Sequence, residues 1–271
     1  MRNAQELCDL ADAHLPPEIA TRWKQLLRPA MQFDGARRTD AVALQLGGNP
    51  ELPVEMPWPE WEGHGPLTFI ASLDCAMIDL PDLPLPESGT LLFFYFDGQV
   101  DGGEALAGAF APGTQDGARL IYVPAGAVTK HRPAPEPIEP YMQLKLQATP
   151  VITAPERFGP RNAVVFGDGT ALDWDHPICA DEFVEAMEEE VSVSPCHQVG
   201  GYPISVQGPV EYEVNGDDEE GAEGWLLLAQ FDTDRSFGME WGDNGMLYWL
   251  IQEPDLVAGR FDRAVFTWQC C

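Results

Sequence analysis

Basic side chains are scarce in this chain: 15 Lys and Arg stand against 44 Asp and Glu, a formal net charge of −29 at pH 7. Such a field repels phosphate backbones and anionic membrane surfaces, so neither nucleic acid nor membrane is an expected partner; basic partners are attracted instead. Long apolar runs are missing as well. No stretch approaches the roughly 18 consecutive apolar residues of a spanning helix, and the opening MRNAQELCDLADAHL lacks the apolar centre of a signal peptide. The expected location is cytoplasmic. Cysteine is limited to six (Cys8, Cys75, Cys179, Cys196, Cys270, Cys271), with no CxxC pair and no zinc-ligand spacing, which predicts free thiols. Cys270-Cys271 follows a strand-like FTWQ without a basic or flexible tail, which argues against lipidation. GxSxG, HExxH, P-loop and strand-to-helix GxGxxG motifs are absent, so the common hydrolase, zincin and nucleotide-binding classes are not indicated, and no metal or cofactor is expected.

What is present is organised around Gly224 to Gln252. Two apolar runs, Trp225 to Phe231 and Met246 to Ile251, flank a polar segment holding Asp232, Asp234, Glu240 and Asp243 with Gly238, Gly242 and Gly245. Short apolar runs bounded by turn residues read as buried strands, here a β-pair with an acidic connection. A fainter copy lies upstream. Gly47-Gly-Asn-Pro matches Gly200-Gly-Tyr-Pro, Ile70-Ala-Ser-Leu-Asp matches Leu228-Ala-Gln-Phe-Asp, and Gly89-Thr-Leu matches Gly245-Met-Leu. A looser fourth match sets Arg119-Leu-Ile-Tyr-Val against Arg263-Ala-Val-Phe-Thr. Landmarks in one order at nearly constant offset predict a duplicated unit.

The expected fold is therefore α+β: an N-terminal helical segment (1–30), a first β-rich half (31–130), a proline-rich connector (131–140) and a second, related β-rich half (141–271), packed as one unit. In the first segment Leu7, Leu10, Ala11 and His14 share a face, Pro17 can open a second helix carrying Ile19, Trp23, Leu26 and Leu27, and Pro29 ends it. Pro53, Pro57 and Pro59 with Trp58 and Trp61 read as an extended loop whose Trp residues pin it to the core. Thr68 to Leu73, Thr90 to Phe96 and Arg119 to Val123 are strands, and Gly98 to Gly117 is a glycine-rich loop. Past the connector, Met142, Leu144 and Leu146 alternate as in a half-buried strand, and Val164-Val-Phe suggests another. Asp181 to Val191 is a helix with Phe183, Val184 and Met187 inward and Glu185, Glu188, Glu189 and Glu190 toward water.

Three constellations could carry function. His197, in Cys196-His-Gln-Val-Gly-Gly-Tyr-Pro, is either a His held by backbone hydrogen bonds or, with Tyr202 and Gln207, part of a cleft wall; adjacency to Cys196 argues against a shared proton. Asp232, Asp234, Ser236, Gly238, Glu240 and Asp243 occupy positions 1, 3, 5, 7, 9 and 12 of a calcium-loop window. Phe237 at position 6, Asp243 at 12 and flanking strands break that pattern, leaving a hydrogen-bonded hairpin as the competing reading. The acid run Asp217, Asp218, Glu219 and Glu220 reads as a solvated loop.

The blocks Gly47-Gly-Asn-Pro-Glu-Leu-Pro, Pro66-Leu-Thr-Phe-Ile-Ala-Ser-Leu-Asp, His197-x-x-x-Gly-Tyr-Pro-x-x-x-Gln207, Leu226-Leu-Leu-Ala-Gln-Phe-Asp and Trp241-Gly-Asp-x-Gly-x-Leu-Tyr together resemble the YwqG-like family of unknown function. The resemblance runs from about residue 28 to the C-terminus. It implies a cytoplasmic, mostly bacterial protein with a mixed β-rich fold, and no reaction. The acidic residue that often follows the Gln in that family is replaced here by Gly208-Pro209. The leading expectation is a non-catalytic binding module for a protein partner, plausibly basic, with toxin neutralisation as one version and Asp217 to Glu220 as the contact. The alternative is an enzyme or small-ligand receptor with a cleft between the halves, built from His197, Tyr202, Gln207, Asp232, Trp241 and Asp243.

Overall fold

The computed structural model describes residues 4–35, 41–167, 172–191 and 194–271, excluding the side chains of 190 and 191. Two helices lead the chain. α1 (Ala4–His14) buries Leu7 and Ala11, and α2 (Pro17–Lys24) opens on Pro17, whose fixed φ and missing N–H suit a first helical position. The helical reading of residues 1–30 needs correction at its end, because helix stops at Lys24 and β1 (Arg28–Gly35) begins four residues later. Pro29 does stop the helix. It then sits in the second position of a strand, paired with Ile152 on one side but just before the ladder on the other side starts at Ala30, where a missing N–H is tolerated.

The other strands are β2 (Leu44–Leu46), β3 (Glu51–Pro53), β4 (Glu60–Trp61), β5 (Gly65–Pro66), β6 (Thr68–Asp74), β7 (Thr90–Tyr95), β8 (Ala118–Val123), β9 (Thr129–His131), β10 (Leu144–Thr153), β11 (Gln198–Gly200), β12 (Trp225–Asp232), β13 (Met246–Gln252) and β14 (Val265–Gln269). Further helices among the described residues are α3 (Pro160–Phe166), α4 (Asp181–Val191), α5 (Val210–Val214) and α6 (Glu253–Val257). Ten strands form one antiparallel sheet in the order β14-β13-β12-β11-β1-β10-β2-β6-β7-β8, while β3–β9 and β4–β5 pair separately. The sheet curls until its edges nearly meet. At the seam the Gln115 side chain acts as a strand residue would, donating Nε2–H to the Phe266 carbonyl and accepting the Phe266 N–H, both at 2.9 Å.

Curling explains why the strands read as unbroken apolar runs rather than alternating ones: both faces are covered. Phe93 meets Phe231 and Trp249 edge-on across the interior, and Tyr95 meets Phe266. On the opposite face Phe94 packs against Trp58 and Phe69. Trp58 is buried and donates Nε1–H to the Leu67 carbonyl at 2.8 Å, so it pins its loop to the core. The helices make a second, smaller core. Trp23 stands edge-on to Phe183 of α4 at 5.3 Å, with Leu7, Ala11 and Ile178 around them. Two local expectations fail. Val164 to Phe166 belong to α3, started by Gly159-Pro160, because a short apolar run carries no period to distinguish helix from strand; Met142 precedes β10 and is 62% exposed. Glu185, Glu188 and Glu189 face water, whereas Glu190 falls outside the described side chains.

The two β-rich segments interlock. β10, from beyond the connector, lies between β1 and β2, and β1 lies between β10 and β11. The connector is held along the first segment: Arg132 N–H donates to Pro50 O, Ala134 N–H to Asn49 Oδ1 and Glu139 N–H to Gln99 Oε1. Corresponding landmarks share local geometry. Gly47 and Gly48 take φ of 58° and 70°, and Gly200 and Gly201 take 70° and 68°. Gln45 donates Nε2–H to the Gly47 carbonyl, as Gln198 does to that of Gly200. Register slips at Ile70 in the β6–β7 ladder and at Leu228 in the β12–β13 ladder.

Candidate functional site

His197 precedes β11, and pairing of β11 with β12 brings it beside Asp232 at the end of β12. Its Nδ1 accepts the Asp232 N–H at 3.2 Å, the Asp232 carboxylate accepts the Cys196 N–H at 2.8 Å, and Trp241 donates Nε1–H to the Asp232 carbonyl at 3.2 Å. These three predicted residues are therefore brought together, and all three are buried. Accepting at Nδ1 places the hydrogen of the neutral ring on Nε2. That atom lies 3.9 Å from Asp234 Oδ2, too far for a hydrogen bond, and has no partner among the described residues. Burial pushes the His197 pKa down to about 4 against the opposing pull of Asp234. Burial likewise raises that of Asp232, against the N–H groups of Cys196 and Thr233.

The other three residues lie apart from this knot. Tyr202 is buried under the Arg28 guanidinium, which sits 5.0 Å above its ring, and its hydroxyl donates to the Leu26 carbonyl at 2.8 Å. Gln207 is exposed, with its N–H on Gln269 Oε1. Asp243 is exposed, and its carbonyl accepts the Cys271 N–H. The acidic connection is hydrogen-bonded within itself. Asp234 Oδ1 accepts the Ser236 N–H, and Arg235 pairs with Glu240 at 2.7 Å. Among the described residues no group of three or more His, Cys, Asp or Glu side chains is arranged to hold a metal ion.

Asp217, Asp218, Glu219 and Glu220 are exposed and belong to none of the ion pairs among the described residues. Their loop is nevertheless fixed. Asn215 donates Nδ2–H groups to the carbonyls of Asp218 and Glu220 while its Oδ1 accepts from Trp225 Nε1, and Asp218 Oδ1 accepts the Glu220 N–H. Asp217 adopts φ 61°, a left-handed turn that a short acceptor side chain tolerates. The acids are displayed on a preformed scaffold.

A cavity of about 410 Å³ lies between the helical core and the sheet. Trp23, Phe158, Phe183 and Met187 line it with Tyr202 and Glu156. Glu156 follows β10, and the Ser205 N–H holds one of its carboxylate oxygens. Behind it Glu211 of α5 is 7% exposed, with Oε2 unpartnered among the described residues. Burial pushes both carboxyls above the usual carboxylate range, and for Glu211 the charge of Glu156 adds to it. Of the predicted residues only Tyr202 reaches this cavity. Local spacing could not have singled out Glu156, one of 44 acids.

Fold and sites together define a strongly acidic α+β protein built on a nearly closed antiparallel sheet, with its histidine–aspartate knot sealed in the core. The model of the family described as Domain of unknown function (DUF1963) matches residues 45–270, and the chain belongs to that family. No curated protein matches it. Among the described residues no helix is long and apolar enough to cross a membrane.

Proposed function

We propose that this is a non-catalytic, cytoplasmic binding protein that takes a basic protein partner on its acidic second half, with Asp217 to Glu220 at the contact. The observation that carries the reading is the fixed acidic loop, whose carboxylates join no ion pair among the described residues. Four exposed carboxylates on a backbone already held by Asn215 lose little freedom on binding, and a charge of −19 over residues 161–271 steers a cation toward them. Neutralisation of a basic toxin is one form of such a role. The test is capture from native lysate with wild type and with the Asp217→Asn, Asp218→Asn, Glu219→Gln, Glu220→Gln variant at low and high salt. A stoichiometric basic protein lost by the variant and by salt supports the proposal; capture indifferent to both refutes it.

We also propose that the two β-rich halves descend from one duplicated five-stranded unit whose first strands exchanged places. The strand order reads the same outward from the β1–β10 centre, which supports this, as do the matched glycine pairs, the Gln45 and Gln198 bonds and the two register slips. The ladders pair Thr90 with Val123 and Met246 with Gln269, which makes Arg119 equivalent to Val265 rather than Arg263. The looser fourth match is thus two residues out of register.

A further inference from the structure

The cavity between α4 and the loops after β10 and β11 shares no lining residue with the acidic loop. We propose that it takes a small amphiphilic amine: an apolar, preferably aromatic, body among Trp23, Phe158, Phe183 and Met187, and an ammonium head on the Glu156 carboxylate.

Three observations converge on this chemistry. The volume of about 410 Å³ falls within the roughly 300–1,000 Å³ of pockets that hold small ligands. Its wall is dominated by aromatic and aliphatic side chains, and ring faces favour a cation as well as an apolar body. Set into that wall is an acid, Glu156, that belongs to no ion pair among the described residues, although its chain neighbour Arg157 lines the same cavity. The Arg157 guanidinium lies instead over the Phe158 ring at 5.5 Å. Ser205 anchors Glu156 from the backbone, and Ser205 Oγ is itself held by the Val210 N–H, so the carboxyl is positioned before any ligand arrives. Glu188, on the exposed side of α4, adds a second carboxylate at the rim. Farther in, Glu211 lies close enough to Glu156 to feel its charge and lines a small pocket with Arg28 and Arg161.

The charge state sets the pH dependence. Burial holds the Glu156 carboxyl above the usual range, so acidification from pH 8 protonates it early and removes the preference for a cation.

The test is calorimetric titration of the full chain at pH 8 with three probes of matched body: 2-phenylethylamine, 2-phenylethanol and 3-phenylpropanoate. The amine is expected to bind about tenfold or more tighter than the alcohol, the gain of one charge-assisted hydrogen bond, and the carboxylate weakest. Glu156→Gln should erase the preference and leave alcohol affinity within about twofold, since shape and apolar wall are kept. Met187→Trp, which fills the chamber, should abolish binding of all three, and circular dichroism checks that each variant is folded. Shifts of the Met187 methyl resonance on titration place the ligand. Neutralising Asp217 to Glu220 should leave amine affinity unchanged, which separates this site from the acidic loop. Equal affinity for amine and alcohol, tighter carboxylate binding, no binding of any probe, or a preference that survives Glu156→Gln would each overturn the proposal.

Discussion

Replacing His197 by Asn tests the account of the buried knot. Asn can still offer an oxygen to the Asp232 N–H that Nδ1 now accepts, but it cannot titrate. In the unfolded chain a histidine titrates near 6.5, whereas in the fold burial lowers His197 to about 4. The folded protein therefore refuses a proton that the unfolded chain takes up. Stability from this residue is fully present above the unfolded value and is lost as pH falls toward the folded one. The full loss is about 3.4 kcal/mol at 1.36 kcal/mol per unit, of which about 2.6 has been lost by pH 4.5. Other groups move the opposite way on acidification, notably Glu156, Glu211 and Asp232, whose raised carboxyls take up protons in the folded state. The informative quantity is thus the difference between wild type and variant, in which those contributions cancel. Urea unfolding should find the variant less stable by about 2–3 kcal/mol at pH 7.5, for lost ring packing, with that deficit nearly gone at pH 4.5. A deficit constant across this range, or a His197 resonance titrating near 6.5 in the folded protein, would refute the reasoning.

Glu211→Gln should raise the melting temperature relative to wild type more at pH 8.5 than at pH 5.5, because the buried carboxyl stabilises the fold only while protonated; an equal effect at both would place Glu211 in contact with water. Gly201→Ala should cost about 2–4 kcal/mol in chemical unfolding, since its left-handed backbone is combined with a Cβ 2.5 Å from Thr153 Oγ1 and 2.8 Å from Ala30 Cβ. Gly126→Ala, left-handed at φ 84° but in open space, should cost only about 1–2 kcal/mol, and equal costs would refute the close-approach argument. Gln115→Ala removes both seam hydrogen bonds to Phe266 and should destabilise by about 1–3 kcal/mol, with faster amide exchange at Phe266; unchanged exchange would mean that the seam closes without it.

Local chemistry sufficed for much of this protein. Glycine pairs that need positive φ, apolar runs bounded by turns and a proline at a helix start are each legible without knowing what lies nearby, so the paired strands around Asp232, the helix at Asp181 and the solvated acids at Asp217 were read from residues alone. What tertiary structure decided is whatever depends on partners distant in the chain. Arg28 to Gly35 became a central strand because β10 and β11 flank it, and Val164 to Phe166 became helix despite their β-branched residues. His197 and Asp232 carry the residue types of a site, yet folding buries both and leaves Asp243 outside. Glu156 shows the converse. Nothing in its neighbourhood in sequence marks it, and only folding sets its carboxyl on the Ser205 N–H in a cavity that Trp23 and Phe183, from two further segments, help to line.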